Sequence, residues 1–462
     1  MATILSHILN SRSVAIIGVS SNLEKAASTI LKNMLDFGFD GKVYPINPRL
    51  DSIMGMPVYA SVNDIEGPID LAIISIQPKA VPGILKECAQ KKITAVIINS
   101  EGFAEAGKEG RELQQEVEHI VKSTGLRVLG PNTIGVVCPS TKLSTSIADL
   151  SHIVKGNVGF IGQSGLFTAG LLQHISYFDY FGFSSAISLG NKVDIDESDA
   201  LEYLADNDET EVIAMYIEGI KSGRKFIRTA KKTSARKPII LVKGGRTSRG
   251  AQAALSHTAS LASNHEIFKA ALRKTGIVQA EGFHDLIDTI RAFAFQPLPK
   301  GNRVAIISNT GAYGIIAIDF CIGHGLEIAS FKPVTTTTLL GVLEEDSKIH
   351  NPVDTYPAGL KHGRAKVYEV SLDAVLDDEG VDAAIVIAFV TGDMTPDSII
   401  APSKRHPEKP VLVCAYGSAK DGFQKTLNEA QIPAYTFAEP AILALSRMYQ
   451  YALYRNGLGN QG

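Results

Sequence analysis

The chain has 462 residues, of which 45% are hydrophobic and 20% are charged, and its formal net charge is −3. This length exceeds one ordinary hydrophobic core, so we expect a globular protein with several domains. The near balance of charges argues against nucleic-acid binding. No apolar run reaches the roughly 18 residues of a membrane-spanning helix. Residues 1–13 lack a secretory signal pattern, and the four cysteines stand far apart, which together predict a cytoplasmic protein.

Short β-branched and apolar runs alternate with longer helical patterns along the whole chain. This rhythm predicts an α/β fold of parallel sheets joined by crossover helices. The first set of strands is predicted at 14–18, 43–46, 71–76, 95–99 and 128–130, and the second at 158–161, 184–189, 212–217 and 239–242. A third set is predicted at 304–308, 384–388 and 411–415. Two segments have the composition of interdomain linkers, the polar 146–156, which ends in glycine, and 296–301, which contains two prolines. They predict three domains, 1–148, 149–296 and 297–462.

Two polar tracts are interpreted as loops. Residues 335–338 are four consecutive threonines, which predict a loop leading into a helix. The acidic run at 194–199 lacks the glycine and the final glutamate of a calcium loop, so we interpret it as a loop and a helix start. The sequence therefore predicts no metal site on this chain.

The second and third domains look like a duplicated module. Each has Gly-Asn before its first strand, a hydroxyl residue and Gly after that strand, and a later Asn-x-Val-Asp segment. The hydroxyl-Gly pairs are Ser164-Gly165 and Thr310-Gly311. Where strand becomes helix, backbone N–H groups and the helix dipole could bind an anion. Ordinary N-capping of two crossover helices is the alternative.

A ligand-binding loop is predicted after the first strand. Gly18, Val19, Ser20 and Ser21 follow that strand, open the first helix and could bind a diphosphate. The pattern is not Gly-x-Gly-x-x-Gly, which disfavours NAD, and the chain has no P-loop motif for ATP. The ends of neighbouring strands supply further candidates, namely Arg49, Pro78, Lys79, Asn99, Ser100 and Glu101.

The third candidate feature is a histidine in a segment rich in glycine, arginine and small residues. His257 lies within Ser256-His257-Thr258, downstream of Lys243, Arg246 and Arg249. A carboxylate that accepts the proton of one ring nitrogen would leave the other nucleophilic. Glu218, at the end of a predicted strand, can take this role. His265 is interpreted as structural.

Together these segments resemble the α subunit of the NDP-forming acyl-CoA synthetases, specifically ADP-forming acetyl-CoA synthetase, in the succinyl-CoA synthetase superfamily. The resemblance covers nearly the whole chain. It rests on Gly102-Phe103-Ala104-Glu105, Gly130-Pro131-Asn132, Gln163-Ser164-Gly165, Ser188-Leu189-Gly190-Asn191-Lys192-Val193-Asp194, Tyr216-Ile217-Glu218-Gly219, Ser256-His257-Thr258 and Asn351-Pro352-Val353-Asp354.

The resemblance implies a CoA-binding Rossmann-like domain followed by two flavodoxin-like domains. It implies that phosphate attacks an acyl-CoA thioester, that the acyl phosphate phosphorylates His257, and that ADP becomes ATP. Glu218 would orient His257. Phosphate would bind at Gln163, Ser164, Gly165, Asn309, Thr310 and Gly311.

The resemblance also implies that Mg and ADP or ATP are held mainly by an ATP-grasp β subunit in an α2β2 heterotetramer. Acyl preference and the choice between ADP and GDP stay open.

Two departures from the family pattern stand out. The family's Ser-His-Thr-Gly-x-Leu-Ala-Gly is here Ser-His-Thr-Ala-Ser-Leu-Ala-Ser, with Ala259, Ser260 and Ser263, and Ala312-Tyr313 stands within the family's Gly-Gly-x-Gly of the third domain. Fewer glycines restrict the backbone, and the Tyr313 ring could alter the acyl pocket. The alternatives are a non-catalytic CoA-binding regulatory or scaffold protein, against which His257 and Glu218 argue, and an NAD-dependent dehydrogenase, which leaves the repeat unexplained.

Overall fold

The computed structural model describes residues 3–178, 180–258, 265–343 and 349–459. The chain divides into two compact units, Met1–Gln279 and Ala280–Gly462. Within the described ranges no helix is both long enough and apolar enough to cross a membrane. The predicted domain boundaries at 148/149 and 296/297 stay a prediction.

The first unit begins with a five-stranded parallel sheet, ordered β2-β1-β5-β6-β7. Its strands are β1 (Ser13–Ile17), β2 (Lys42–Ile46), β5 (Leu71–Ile74), β6 (Ala95–Ile98) and β7 (Arg127–Leu129), with a small hairpin of β3 (Ser52–Ile53) and β4 (Met56–Pro57). The helices are α1 (Ile4–Leu9), α2 (Ala26–Asp36), α3 (Val81–Gln90) and α4 (Lys108–Thr124), with 3-10 turns at Val62–Asp64, Pro78–Ala80 and Ala104–Ala106. β1, β5 and β6 are buried at every residue, as expected for strands covered on both faces.

The second sheet has seven strands in the order β14-β13-β12-β10-β11-β8-β9. They are β8 (Val136–Cys138), β9 (Leu143–Ser144), β10 (Lys155–Gly162), β11 (Phe183–Ser188), β12 (Val212–Ile217), β13 (Ile239–Lys243) and β14 (Val278–Ala280). Its helices are α5 (Gly165–Tyr177), α6 (Glu197–Asp206), α7 (Gly223–Ser234), α8 (Ser248–Thr258) and α9 (His265–Thr275). One hydrophobic cluster contains Ile16 of β1, Ile73 of β5 and Ile213 of β12. This shared core makes the two sheets one compact unit.

The second unit is built on one parallel sheet, ordered β16-β15-β18-β19-β20, with β17 paired to β15. The strands are β15 (Arg303–Ser308), β16 (Glu327–Ile328), β17 (Val353–Asp354), β18 (Ala383–Phe389), β19 (Val411–Tyr416) and β20 (Ala434–Tyr435). The helices are α10 (Phe283–Phe295), α11 (Gly311–Gly323), α12 (Pro333–Leu343), α13 (Tyr356–His362), α14 (Arg364–Asp377), α15 (Asp397–Arg405), α16 (Lys420–Glu429) and α17 (Ala438–Gly459).

The predicted duplication agrees with the strand orders. Numbered from β10, strands β10 to β14 of the second sheet lie in the order 2-1-3-4-5, and the strands from β15, with β17 left out of the numbering, have the same order. This is the flavodoxin-like arrangement. In both modules the first strand runs directly into a helix, α5 or α11, through a hydroxyl-Gly pair.

The threonine tract is not a loop, so that prediction was wrong. Residues 335–338 lie inside α12, which starts at Pro333. Proline suits the first helical turn because its missing N–H has no helical partner there. The Thr337 and Thr338 hydroxyls donate to the carbonyls of Pro333 and Val334, at 2.9 and 3.1 Å. These bonds and the burial of Leu339 offset the low helix propensity of β-branched residues.

Candidate active site

The carboxyl ends of β1, β2 and β5 surround a cavity of about 760 Å³, here called the first cavity. β1 lies between β2 and β5. The chain therefore adds β2 on one side of β1 and the later strands β5, β6 and β7 on the other side. Such a switch point is where open parallel sheets bind ligands. The predicted residues Gly18 and Arg49 line this cavity, together with Asn47, Ser61 and Gln77, which the sequence did not single out.

Gly18 is required by a close approach of two strand ends. Its φ is +105°, and a Cβ atom there would lie 2.3 Å from the carbonyl oxygen of Ser75 and 2.6 Å from Cγ2 of Ile76. Any side chain would therefore push the ends of β1 and β5 apart. The glycine keeps these ends together at the wall of the first cavity.

The loop after β1 does not open the first helix directly, and that prediction was wrong. The N–H of Gly18 donates to the carbonyl of Ile46 at 3.0 Å, and the N–H of Ser20 donates to Oγ of Ser28 at 2.8 Å. These contacts hold an intervening turn, so α2 starts only at Ala26.

Within the segment that follows β1, the residues at the start of α2 line the first cavity, whereas Val19 and Ser21 do not. Val19 is fully buried and Ser21 is exposed. Lys25, Ala26 and Ala27 line the first cavity. The first N–H groups of a helix lack intrahelical partners, so the start of α2 is a better place for an anion than the predicted loop.

A second cavity, of about 500 Å³, adjoins the first. Ala26, Ser75 and Ile76 line both of them. The second cavity continues from the ends of β5 and β6 to the start of α5, and its other lining residues include Asn99, Ser100, Glu101, Glu105, Asn132, Thr133, Ile134, Gln163, Ser164, Gly165 and Asn191. The two cavities together form an elongated space that suits a long ligand.

Asn99 and Ser100 brace the walls of the second cavity. The Asn99 carboxamide accepts from the Ser75 hydroxyl at 3.0 Å and donates to the carbonyl of Thr133 at 2.7 Å. The Ser100 hydroxyl accepts from the N–H of Ile76 at 3.0 Å and donates to its carbonyl at 2.8 Å. These contacts fix the ends of β5 and β6 relative to each other.

Three other predicted residues have different surroundings. Glu101 is exposed and lines the second cavity. Pro78 and Lys79 lie in a 3-10 turn and are not among the residues that line either cavity. Lys79 is exposed and forms a loose ion pair with Glu109, with 3.9 Å between Nζ and Oε2. Pro78 and Lys79 therefore do not contribute to the wall of either cavity, although Pro78 lies against Gly102, where a Cβ atom would be 2.9 Å from its Cγ.

Glu105 and Asn191 are cavity residues that the sequence analysis did not assign to the site. Glu105 accepts the N–H groups of Gly102 and Phe103 with one oxygen, at 2.7 and 3.0 Å. Its other oxygen accepts from Nδ2 of Asn191 at 2.6 Å. Both residues belong to motifs that carried the family resemblance, so the signal was present in the sequence.

The start of α5 forms one end of the second cavity. Ser164 and Gly165 line it, and Ser164 precedes the helix without a capping bond from its side chain. Ordinary N-capping, the alternative considered above, is therefore not what Ser164 does. A helix start carries about half a positive charge and N–H groups that seek acceptors. This end of the cavity is suited to an anion.

Gln163 supports the backbone beside the cavity. It is buried, and its Oε1 accepts from the N–H groups of Glu218 and Gly219 at 2.8 and 3.1 Å. The same oxygen accepts from Nζ of Lys192 at 3.3 Å. Its carboxamide oxygen is thus engaged with protein donors, while the residue as a whole still lines the second cavity.

Glu218 lies just beyond the carboxyl end of β12 and is only 5% exposed. The hydroxyl of Tyr216 donates to Oε1 of Glu218 at 3.1 Å. Nζ of Lys243 donates to the main-chain carbonyl of Glu218 at 2.6 Å. Burial lowers the pKa of Lys243, and the charge of Glu218 acts in the opposite direction. Burial also raises the pKa of Tyr216, and so does the neighbouring Glu218.

Helix α8 carries His257 in its last turn. The helix starts after Thr247, whose hydroxyl accepts the N–H of Gly250 at 3.1 Å. α8 contacts the 3-10 turn Ala104–Ala106, which includes Glu105. The side chain of His257 lies outside the described residues. So do the family departures at 259, 260 and 263.

In the second unit, Thr310 and Gly311 stand where β15 gives way to α11. The Thr310 side chain makes no capping bond, and its N–H donates to the hydroxyl of Ser308 at 3.1 Å. A Cβ at Gly311 would lie 3.7 Å from Oδ2 of Asp354. Oδ1 of Asn309 accepts from the N–H of Phe389 at 3.3 Å. The start of α11 thus matches that of α5.

Hydrogen bonds and a ring contact hold Tyr313 against the sheet of the second unit. Its hydroxyl accepts from the N–H of Ala438 at 2.8 Å and from Sγ of Cys414 at 3.6 Å. Its ring lies edge-on to that of Tyr416, with 5.7 Å between centroids. The tyrosine therefore joins α11 to β19 and to the start of α17. Its influence on an acyl pocket stays a prediction.

The acidic segment after β11 has the predicted structure, a loop followed by a helix start. Asp196 caps α6, and its side chain accepts the N–H groups of Ser198 and Asp199. In the part of the chain that the structure describes, no three His, Cys, Asp or Glu side chains are grouped as a metal site would need.

Comparisons with known proteins identify the family. A model of the CoA binding domain matches residues 12–139, and a model of the succinyl-CoA ligase like flavodoxin domain matches residues 155–293. The α subunit of ADP-forming acetate–CoA ligase II from Pyrococcus furiosus is 37% identical over 456 residues, which cover 97% of this chain and 98% of that subunit. The chain belongs to the family of ADP-forming acetate–CoA ligases.

Other members of the ligase family extend this likeness. ADP-forming acetate–CoA ligase II from Archaeoglobus fulgidus is 38% identical over 451 residues, which cover 96% of this chain but 66% of that ligase. The chain thus spans about two thirds of this relative and nearly all of the Pyrococcus subunit. A solved structure of Ca. Korarchaeum cryptofilum dinucleotide forming acetyl-coenzyme A synthetase 1, in complex with phosphate and ADP, has a TM-score of 0.91 and 32% identity, covering 99% of this chain and 98% of that one.

These ligase relatives confirm the predicted resemblance and the predicted α/β fold class. The model matches also confirm a CoA-binding domain followed by a succinyl-CoA ligase-like flavodoxin domain. The likeness to named α subunits supports a CoA ligase and does not favour the non-catalytic alternative. The roles of individual site residues stay predictions.

Proposed function

We propose that this chain is the α subunit of an acyl-CoA synthetase that converts acyl-CoA, ADP and phosphate into a carboxylic acid, ATP and CoA, reversibly. One observation carries the proposal. Two adjoining cavities run from the switch point of the first sheet to the start of α5, where Gln163 joins the cavity wall to Glu218.

CoA would occupy this elongated space. Its phosphates suit the first cavity, where Arg49 and Lys25 supply positive charge and the start of α2 supplies N–H groups. Its pantetheine arm would then pass Ser75 and Ile76 into the second cavity. The thioester would lie near Ser164 and Gly165. This placement is supported by the shared lining of the two cavities.

The first step would be attack of phosphate on the thioester. Phosphate held at the start of α5 places an oxygen next to the thioester carbon. The new C–O bond forms as the C–S bond breaks, giving an acyl phosphate and CoA thiolate, which takes up a proton. The helix start offers about half a positive charge at the phosphate, and fixed charge of this kind stabilises the transition state without reorganisation.

The second step would transfer the phosphoryl group to His257. One imidazole nitrogen attacks phosphorus, the P–O bond to the acyl group breaks, and the carboxylate leaves. Glu218 would accept a hydrogen bond from the other ring nitrogen, which fixes the tautomer and stabilises the positive charge that develops on the ring. The contact between α8 and Ala104–Ala106 supports a position for His257 near the second cavity.

The nucleotide half of the reaction would use a partner. We propose an ATP-grasp β subunit that holds Mg and ADP, in an α2β2 assembly, to which His257 delivers the phosphoryl group. Support comes from relatives that are named as α subunits and from a longer single-chain relative. We place the assembly in the cytoplasm, because the four cysteines are free and buried, which suits a reducing compartment.

Phosphate labelling tests this proposal. The full chain is incubated with acetyl-CoA and radiolabelled phosphate, and acid-labile, base-stable label is mapped. We expect label on His257 and none in His257→Asn. The exposed His119 of α4 supplies the control His119→Asn, which should label like the wild type. An unlabelled wild type that binds CoA, or a labelled His257→Asn, contradicts the mechanism.

A further inference from the structure

Tyr216 contacts the proposed orienting carboxylate directly. Tyr216 and Glu218 are two residues apart along β12 and its extension, so their side chains leave the same face. The Tyr216 hydroxyl donates to Oε1 of Glu218 at 3.1 Å. The ring is half-buried and packs against Phe167 of α5, with 5.0 Å between centroids. The phenol therefore has a fixed place from which to hold the carboxylate.

The backbone of Glu218 is already fixed from both sides. Gln163 accepts its N–H at 2.8 Å, and Lys243 donates to its carbonyl at 2.6 Å. Both supporting side chains are at least nine-tenths buried. Tyr216 acts on the side-chain torsions of Glu218 through its hydrogen bond to Oε1.

The surroundings leave room for this pair and keep the phenol protonated. A Cβ at Gly244 would lie 2.9 Å from the Tyr216 hydroxyl and 3.2 Å from Cγ of Glu218. Burial raises the pKa of Tyr216, as does the charge of Glu218. The phenol is therefore a hydrogen-bond donor throughout the ordinary pH range.

We propose that Tyr216 is a positioning residue for phosphorylation of His257. Its hydroxyl holds Oε1 of Glu218 and so fixes the orientation of the carboxylate that would accept a hydrogen bond from the imidazole. Tyr216 exchanges no proton in the step, because it donates the same hydrogen bond before and after phosphoryl transfer. The inference rests on the proposed function, in which Glu218 orients His257.

The charged groups around the pair come from several elements. Lys243 lies on β13, and Lys192 lies in the loop after β11, where it pairs with Glu197 of α6 at 3.1 Å. Lys192 contributes to lowering the pKa of Lys243. Tyr216→Phe leaves these three side chains in place and removes the hydroxyl that donates to Glu218.

The test measures the initial rate of His257 phosphorylation by acetyl phosphate in the full chain. In Tyr216→Phe we expect the rate to fall about tenfold, the effect of losing one hydrogen bond to a charged group in the transition state. CoA affinity and melting temperature should stay as in the wild type. Tyr203→Phe is the matched control, since Tyr203 is buried on α6 and its hydroxyl accepts from Asn207 at 3.2 Å; its rate should change less than about twofold.

The outcomes separate the inference from the proposed function. A wild type that acquires no label contradicts the proposed function itself. A labelled wild type with an equally fast Tyr216→Phe overturns only the positioning role. A slow Tyr216→Phe that has also lost CoA affinity or melting temperature shows a structural role and overturns the inference too.

A fluorinated tyrosine at position 216 gives an independent measurement if Tyr216→Phe folds poorly. Fluorination makes the phenol more acidic, and a phenolate would repel the Glu218 carboxylate instead of donating to it. We expect the phosphorylation rate to decline at lower alkaline pH than in the wild type. The same residue at position 203 should leave the pH profile unchanged. Identical profiles at both positions would overturn the inference.

Discussion

Replacing Lys192 by methionine should strongly destabilise the first unit. The ammonium group of Lys192 is buried with Glu197, which is 0% exposed, at 3.1 Å. It also donates to the carbonyl of Gly219 at 2.7 Å and to Oε1 of Gln163 at 3.3 Å. Lys192→Met leaves the Glu197 charge buried without its cation. Breaking such a pair from one side costs about 3–5 kcal/mol.

Thermal unfolding measures this effect. For a unit of this size, a loss of about 3–5 kcal/mol lowers the melting temperature by roughly 10 °C. The double variant Lys192→Met/Glu197→Leu should recover much of the loss, because no charge is then left unpaired. Lys32→Met, which removes an exposed pair with Asp36 at 2.6 Å, should melt like the wild type. A single variant Lys192→Met that melts within about 2 °C of the wild type would refute the reasoning.

Three further predictions concern other parts of the chain. Gly18→Ala should weaken CoA binding about tenfold or more in calorimetry, because its Cβ would lie 2.3 Å from the carbonyl of Ser75; wild-type affinity would contradict this. Burial raises the pKa of three thiols to about 12, those of Cys88, Cys321 and Cys414. Unfolded thiols lose their protons near pH 8.5, so the folded protein should resist thiol reagents at pH 8, and its stability should fall as the pH rises above about 9. Tyr313→Phe should lower the stability of the second unit by about 1 kcal/mol in denaturant titration, since the Ala438 N–H loses its acceptor; an unchanged midpoint would contradict this.

Local patterns predicted the sheets because the signal is local. β1 and β15 are apolar runs with nearly every residue buried, which is the expected pattern for parallel strands covered on both faces. The helix starts were harder to place. The turn before α2 depends on the contact between Ser20 and Ser28, and the helix at 335–338 depends on the burial of Leu339. Neither the hydrogen bond between Ser20 and Ser28 nor the burial of Leu339 can be inferred from the residues adjacent in the sequence.

The candidate site shows the same limit more strongly. The family resemblance implied that Gln163 binds phosphate, yet its Oε1 accepts from the N–H of Glu218, 55 residues away. Glu105 and Asn191 are 86 residues apart and meet at 2.6 Å. Sequence identifies chemical groups at strand ends, since these ends share one edge of a sheet. It does not reveal which group supports the backbone and which one faces a ligand.

The duplicated module shows how matching residues come to differ, one lining a cavity and the other supporting the backbone. In the first copy, Asn191 lines the second cavity and donates to Glu105. In the second copy, the matching Asn351 accepts from the N–H of Ile306 at 2.9 Å and donates to the carbonyls of Val304 and Ala329, at 2.8 and 3.0 Å. Its carboxamide therefore bonds to the backbone around β15. Two modules with the same strand order thus use the same residue for different purposes, because function depends on the neighbours that each copy has acquired.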